Sequence, residues 1–577
     1  MTETIHAPDF LASLSSKYAW LKNFSSELSA LSIHGSNTLL RTTLNGSMRN
    51  VDEAAKTIEA DIITVRSALA YLERQRAYVK QINADYRATY SRIRTLPSDI
   101  LIEIFFQTRE PPRPYVTRFG DSFPGSFWVS DIKNGPWRLG QVCGAWRHLI
   151  TQACPQLWST IVLSFSWDTR RKKSVIQLLE TALNRSRHHP ISIQFFHEAC
   201  QEFHEHDEDT GMMCFRLLMK QSYRWRHIYF DMPEYIYSVL SPIQGHIPLL
   251  ESLHLTLGAK DSIPVHDPWT GAFAQAPSLK TAKFTDLSGN MNIDLPFSQL
   301  ISFSDTRPYD SHELTRHFLS ILRDHPQFQS FEYLSSEFPH DTPSFFEVSP
   351  RVRNPNVHKL SASDCSFLQS LELPSLEEME LATGTEDDDH EGWNVFCPPG
   401  ALESLKILIY NSDCSLTNLT IAHAHLDDNL VSILRLSSTL SELKIKIMTW
   451  TVPVDDDTLR AIVLSLAEID DHGQHRVVPC LCSLSIEACS FQSTARYQAT
   501  FLDRKFVEMI SSRVKMIEPH LRSLNIILQG QLEWSLSGRD ENRLNPLSKN
   551  GLQVCLEMDE DDSSNSDSDS DDLDFGY

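Results

Sequence analysis

The sequence predicts a multidomain protein of mixed class. It reads as an N-terminal α-helical hairpin or coiled coil, a small all-α module, an α/β repeat solenoid and a disordered acidic tail. Three observations predict this order. Apolar residues from Val51 to Ile93 recur every three or four positions. A helix break at Leu96-Pro97 is followed by a compact apolar block, Ile100, Leu101, Ile104, Phe105 and Phe106. A leucine-spaced phrase then returns repeatedly between residues 248 and 526.

Bulk properties bound the answer. A chain of 577 residues is too long for one hydrophobic core, so several structural units are expected. Apolar content of 41% suits globular packing. The net charge of −23, with no large basic face, argues against nucleic-acid binding. The start "MTETIHAPDF" lacks the basic and apolar segments of a signal peptide. Eleven scattered cysteines then read as reduced thiols of an intracellular protein, cytoplasmic or nuclear. No apolar run approaches the roughly 20 residues of a membrane span.

The arm comes first, residues 1–93. Its seam reads Val51, Ala55, Ile58, Ile62, Val65, Leu69, Leu72, Arg76, Val79, Asn83, Tyr86, Tyr90 and Ile93. No Gly or Pro interrupts it, which predicts a helix of roughly 60 Å. Such a seam must bury against something. One partner is the chain's own first helix, where Leu11, Leu14, Tyr18, Leu21 and Leu28 share a face, with Gly35 and Gly46 marking the turn. The other is a second copy, which makes residues 51–93 a self-association surface. The polar Arg76 and Asn83 weaken a long dimer seam and favour the hairpin.

The next module spans residues 94–160. Pro97 suits the first turn of a new helix, and Asp99 sits near its positive end. Ile100, Leu101, Ile104 and Phe105 form one stripe. The stretch 109–136 is rich in Pro and Gly and reads as loop. A second helix follows, with Leu139, Val142, Trp146 and Ile150 on one face, and Pro155 stops it. The ordered blocks Leu96-Pro97-x-x-Ile100-Leu101-x-x-Ile104-Phe105, Val142-Cys143-x-x-Trp146-Arg147 and Pro155-x-Leu157-Trp158 resemble the F-box. The heptad helix before them and the repeats after them resemble the F-box-like proteins abundant in mushroom-forming fungi. The resemblance implies docking to a Skp-type adaptor and, through it, a cullin. It places Leu96, Pro97, Ile100, Leu101, Ile104, Phe105, Val142, Cys143, Trp146 and Arg147 at or behind the adaptor contact. The insertion at 109–136 departs from the family pattern. It is either a surface loop or a disturbance of docking.

Residues 161–550 change character. "LWSTIVLSF", "ISIQFF" and "RHIYFDM" read as strands, and "KSVIQLLETALNRS" and "MCFRLLMKQS" as helices. The template L-x-x-L-x-L then appears at 248–255, 277–284, 326–333, 374–381, 400–407, 414–421, 438–445, 479–486 and 519–526. Its last apolar positions alternate, as a strand with one buried side requires. Each unit can bury its leucines only against neighbours, so the units must stack. The expectation is an irregular leucine-rich-repeat horseshoe with a parallel sheet on its inner face. In relatives with this layout, the resemblance implies, the repeats hold the protein to be ubiquitinated.

Chemical sites are sparse. His197, Cys200, His204 and His206 suggest zinc at first sight, but the spacing is not H-E-x-x-H and no Cys-x-x-Cys closes it. It reads as an acidic loop, and no metal or cofactor is expected. Cys480 and Cys482 read as alternating strand residues, "EDDDHE" at 386–391 as an exposed loop, and "RRKK" at 170–173 as a charged first turn. No P-loop, G-x-S-x-G or triad is present, so the chain reads as no enzyme. The tail, residues 551–577, holds ten acidic residues and no Lys or Arg from Glu557 to Asp574 and reads as disordered. Ser564, Ser566 and Ser568 each precede an Asp by three positions, as acidophilic kinases prefer. Two functions follow as expectations: a substrate receptor of a Skp–cullin–F-box ubiquitin ligase, or a repeat scaffold without ligase partnership, assembled through the heptad helix.

Overall fold

The structure is a computed structural model that describes residues 7–20, 38–89, 93, 96–108, 123–165, 174–197, 210–257, 268–287, 292–309, 312–337, 351–383, 397–447, 450, 454–490, 496–515, 520–534, 536–548 and 551–559. It divides into two compact units, Met1–Pro97 and Ser98–Tyr577.

The first unit is helical. Helix α1 spans Ala7–Tyr18, and α2 spans Thr38–Thr89, 52 residues or about 78 Å. The expected turn at Gly46 is corrected. Gly46 lies inside α2, and a Cβ placed there would meet nothing within 4 Å. Helix α1 is tied to α2 at Asp61, whose carboxylate accepts from Lys17 Nζ at 2.7 Å and from the Tyr18 hydroxyl. Ala54 is buried and Val51 and Ile58 are half-buried. Beyond Asp61 the seam is open: Ile62, Val65, Leu69, Leu72, Val79 and Tyr86 are 41–64% exposed. Leu21, Leu28, Gly35 and Tyr90 lie outside the described residues.

The second unit begins with helices. Helix α3 spans Ser98–Gln107, directly after Pro97. The single helix expected from Trp137 to the stop at Pro155 is two, α4 (Gly135–Val142) and α5 (Gly144–Gln152). Cys143 between them is fully extended, at φ −161° and ψ 169°. The two helices meet closely at Gly140, where a Cβ would stand 3.0 Å from Ile150 Cδ1. A straight helix would separate those residues by more than two turns, so the break at Cys143 is what brings them together. A short 3₁₀ turn, Pro155–Trp158, leads into the sheet.

Fifteen strands form one sheet, all parallel and in sequence order. They open with β1 (Phe127–Trp128), β2 (Thr160–Phe165), β3 (Ile191–His197), β4 (Trp225–Met232) and β5 (Ser252–Leu257). The middle is β6 (Thr281–Thr285), β7 (Ser302–Tyr309), β8 (Ser330–Glu337), β9 (Lys359–Ala362) and β10 (Glu378–Leu381). The end is β11 (Asn418–Ala422), β12 (Glu442–Ile447), β13 (Ser483–Ser490), β14 (Ser523–Gly530) and β15 (Gln553–Asp559). At 4.7–4.9 Å per strand the sheet runs about 67 Å. Helices such as α6 (Ser174–Arg185), His312–Asp324 and Asp428–Leu436 return the chain between strands. This is an α/β solenoid-like arrangement.

The template explains the core. In eight of the nine phrases the three apolar positions are no more than 2% exposed, as in Leu440, just before β12, and Leu443 and Ile445 within it. They stack in register across neighbouring strands: Leu419, Leu443, Leu484 and Leu524 form one column. A backbone ladder runs beside them. The residue before each strand from β5 to β14 donates its N–H to the corresponding carbonyl of the preceding strand's entry, at 2.7–2.9 Å, and at β15 the first strand residue, Gln553, does so to Arg522 at 2.7 Å. Repeated units thus satisfy one another's main chain as well as their leucines.

Four expectations are corrected here. The phrase at 400–407 is not a strand but part of the helix Ala401–Ser412, which starts at Gly400 with φ 87°. Its apolar residues continue as Leu402, Leu405, Leu408 and Ile409, a helical period. The tail expected at 551–577 begins later, because Gln553–Asp559 is β15, paired along its length with β14. Cys480 and Cys482 precede β13 rather than lie in it. The stretch 109–136 is not all loop, since Phe127–Trp128 is β1 and pairs with β2. Residues 560–577, 170–173 and 386–391 lie outside the described residues.

Candidate docking surfaces

The helical module has a filled interior and an apolar exterior. In α3 the alternation of faces puts Leu101 and Phe105 inside, with Phe105 only 1% exposed. Its ring meets Trp146 of α5 edge-on, centroids 4.8 Å apart. Ile104 is half-buried, while Ile100 is 46% exposed. Of the second block, Trp146 and Cys143 are half-buried and Val142 is 56% exposed. Val142 therefore does not share the inward face of Trp146 and Ile150, because the chain breaks between them. Arg147 is exposed, and its Nε donates to the Gly140 carbonyl at 2.8 Å, bridging the break. In the first unit, Leu96 is half-buried and Pro97 exposed. Of the ten site residues predicted from sequence, the structure joins Phe105 to Trp146 by direct contact. It leaves Ile100 and Val142 as the outward apolar pair.

The third block is structural. Trp158 is buried, and its indole N–H donates to the Ile150 carbonyl at 2.9 Å. Phe127 and Trp137 meet it edge-on. The Arg185 guanidinium, from α6, stands 4.6 Å from the Trp158 ring and 5.2 Å from Trp137. Burial, and secondarily the charge of Arg147, lower its pKa. This cluster fastens α4, β1 and the first crossover helix together. The described end of the insertion is thus built into the sheet's first edge. Gly135 is required there: its φ is 58°, and a Cβ would lie 2.9 Å from Phe127 Cβ.

The second surface is the sheet face carrying the residues between the template's leucines. One register row passes through Tyr229, His254, Lys283, Ser304, Glu332, Ser361 and Glu380. It continues through Thr420, Lys444, Ser485, Asn525 and Cys555. The chemistry changes along it. At the N-terminal end His254 lies edge-on to Tyr229, centroids 4.3 Å apart, with Nε2 3.3 Å from Thr285 Oγ1. Burial, aided by Lys283, pushes His254 down to about 3, so the ring is neutral at neutral pH. In the middle, Ser304 donates to Glu332 at 2.6 Å and Ser361 to Glu380 at 3.0 Å. Toward the C-terminal end Glu487 takes Lys444 at 2.7 Å, beside a groove of about 430 Å³ lined by Lys444, Ser485, Asn525 and Cys555. The row offers an extended, varied polar face.

Two features escaped the sequence reading. Asp305 occupies a core position of β7 and is paired bidentately with Arg307, Nε–Oδ1 2.7 Å and Nη2–Oδ2 2.8 Å, both fully buried. Arg513, also buried, donates to the carbonyls of Leu466, Val477 and Val478, closing the end of the helix Val454–Leu466. Burial lowers its pKa to about 10. No spacing in the sequence singles out either arginine. His197, from the suspected metal cluster, is a buried strand residue stacked near Phe195. Residues 198–209 lie outside the described set, and among the described residues no group of His, Cys, Asp or Glu is arranged to hold a metal. Nor is any described helix long and apolar enough to cross a membrane.

No protein-family model matches the chain, and no curated protein does. Among solved structures it is similar to a Bacteroides fragilis protein, 13% identical over 69% of this chain and 73% of that one, with a TM-score of 0.21. It is also similar to a chain of the Drosophila Toll–Spätzle complex, 12% identical over 70% of this chain, TM-score 0.24. The match spans 58% of that chain's length. Likenesses this distant say nothing of what this protein binds.

Proposed function

We propose that the protein is a non-enzymatic substrate receptor of a Skp–cullin–F-box ubiquitin ligase, with its helical module docking the adaptor and its leucine-rich repeats holding the target. The observation that carries this reading is the division of labour within the predicted stripe. Leu101, Phe105 and Trp146 supply the module's own core, while Ile100 and Val142 stand exposed beside it. Exposed apolar residues on a module already filled suit a protein partner. The polar row of the sheet suits a second, more varied partner. The mechanism is proximity: a receptor that binds adaptor and target together raises the local concentration of target lysines near a charged conjugating enzyme.

Copurification from cells tests it. Wild type should retain a Skp-type adaptor and a cullin, while Ile100→Asp/Val142→Asp should lose both and keep the solenoid's circular dichroism. Failure of wild type to retain the adaptor overturns the reading in favour of a repeat scaffold without ligase partnership.

A further inference from the structure

We propose that α2 pairs with α2 of a second copy of this chain as an antiparallel coiled coil centred between residues 70 and 71. The seam beyond Asp61 is apolar, helical and open, as described above, and a heptad seam of this length buries itself against another helix. Helix α1 occupies the edge carrying Asp61 and leaves the opposite edge free.

That free edge carries one residue per heptad: Asp52, Glu59, Arg66, Glu73, Lys80 and Arg87, all exposed. Their signs read minus, minus, plus, minus, plus, plus. Reversed end for end, the series is its own complement. In an antiparallel pair this edge faces itself, so Asp52 meets Arg87, Glu59 meets Lys80 and Arg66 meets Glu73, each pair twice. A surface complementary to itself under reversal is the signature of a two-fold interface. Single exposed pairs contribute little energy, but together they choose the orientation.

The core layers agree with this choice. The same alignment stacks Leu69 on Leu72 of the second copy, Ile62 on its Val79 and Ile58 on its Asn83. Arg76 then lies against Val65, where its aliphatic stem packs while the guanidinium reaches solvent. A parallel pair would instead set Arg76 against Arg76 in the seam, with Asp61–Arg66 as its single complementary edge pair. The polar residues that weaken a parallel seam are accommodated by the antiparallel one.

Sedimentation or light scattering on the full chain should give twice the monomer mass. Zero-length carbodiimide crosslinking of mixed light and heavy isotopic copies should join Glu59 of one copy to Lys80 of the other. The two residues are 21 positions apart on one helix, about 32 Å, so the link cannot form within a chain. Leu69→Asp/Leu72→Asp should halve the mass and leave the solenoid's thermal transition unchanged. A monomeric wild type, or a double mutant that keeps the doubled mass, overturns the proposal. A doubled mass without the Glu59–Lys80 link overturns the antiparallel arrangement.

Discussion

The arm and the solenoid use the same residues in opposite circumstances. Both present Leu, Ile and Val at a fixed period. In β12 the leucine positions are sealed, whereas Leu72 of α2 is 62% exposed. The difference lies in where the complementary surface comes from. A strand repeat is followed in sequence by another of its kind, so the chain itself supplies the neighbour, and the backbone ladder locks the two together. A heptad seam is complemented only by another helix of matching length, and α1 is 12 residues against 52. Periodicity specifies a face, and the number of copies in the chain decides whether that face is covered.

The sharpest break of the contrast is inside the solenoid. Asp305→Ala removes the bidentate carboxylate from the buried Arg307 guanidinium and should cost about 3–5 kcal/mol, read from urea denaturation. Leu443→Ala opens a cavity in a packed column and should cost about 2–5 kcal/mol by the same measurement. Gly135→Ala combines a left-handed backbone with a clash on Phe127 and should cost about 1–3 kcal/mol, visible as weakened docking of the Trp158 cluster in near-ultraviolet circular dichroism.

A pH titration probes the polar face next. His254 ordinarily titrates at 6.5 and here at about 3. Between those values the unfolded chain takes up a proton that the folded chain refuses. Stability should therefore fall as pH drops from 6.5 toward 3, and His254→Gln should flatten part of that slope. The smallest effect belongs to the arm: Leu72→Ala should move the solenoid's unfolding by no more than about 0.5 kcal/mol, since it removes no intrachain packing.

Much of the solenoid was legible because leucine spacing reports burial directly. It failed where another rule overrode the spacing. The phrase at 400–407 has the strand template, yet Gly400 and the continuing Leu405, Leu408 and Ile409 make it a helix. Strand β7 was missed because its third core position is Asp305, tolerable only with Arg307 two residues on. Strand β9 ends its template on Ala362, too small to signal a core column. In the helical module the stripe was visible, but its two faces were not. A break at Cys143 depends on how closely Gly140 can approach Ile150, which no spacing in the sequence reveals.

The two ends of the sheet carry a colloidal consequence. A parallel sheet that stops exposes a row of unpaired N–H and C=O groups, a template for adding foreign strands. At the first edge, β1 is two residues long, too short to template much. At the far edge, β15 runs seven residues and carries Glu557 and Asp559, and the chain beyond it adds eight more carboxylates by Asp574. Like charges there oppose the end-to-end stacking of solenoids into fibres, so solubility should decline as salt screens them or as acid neutralises them.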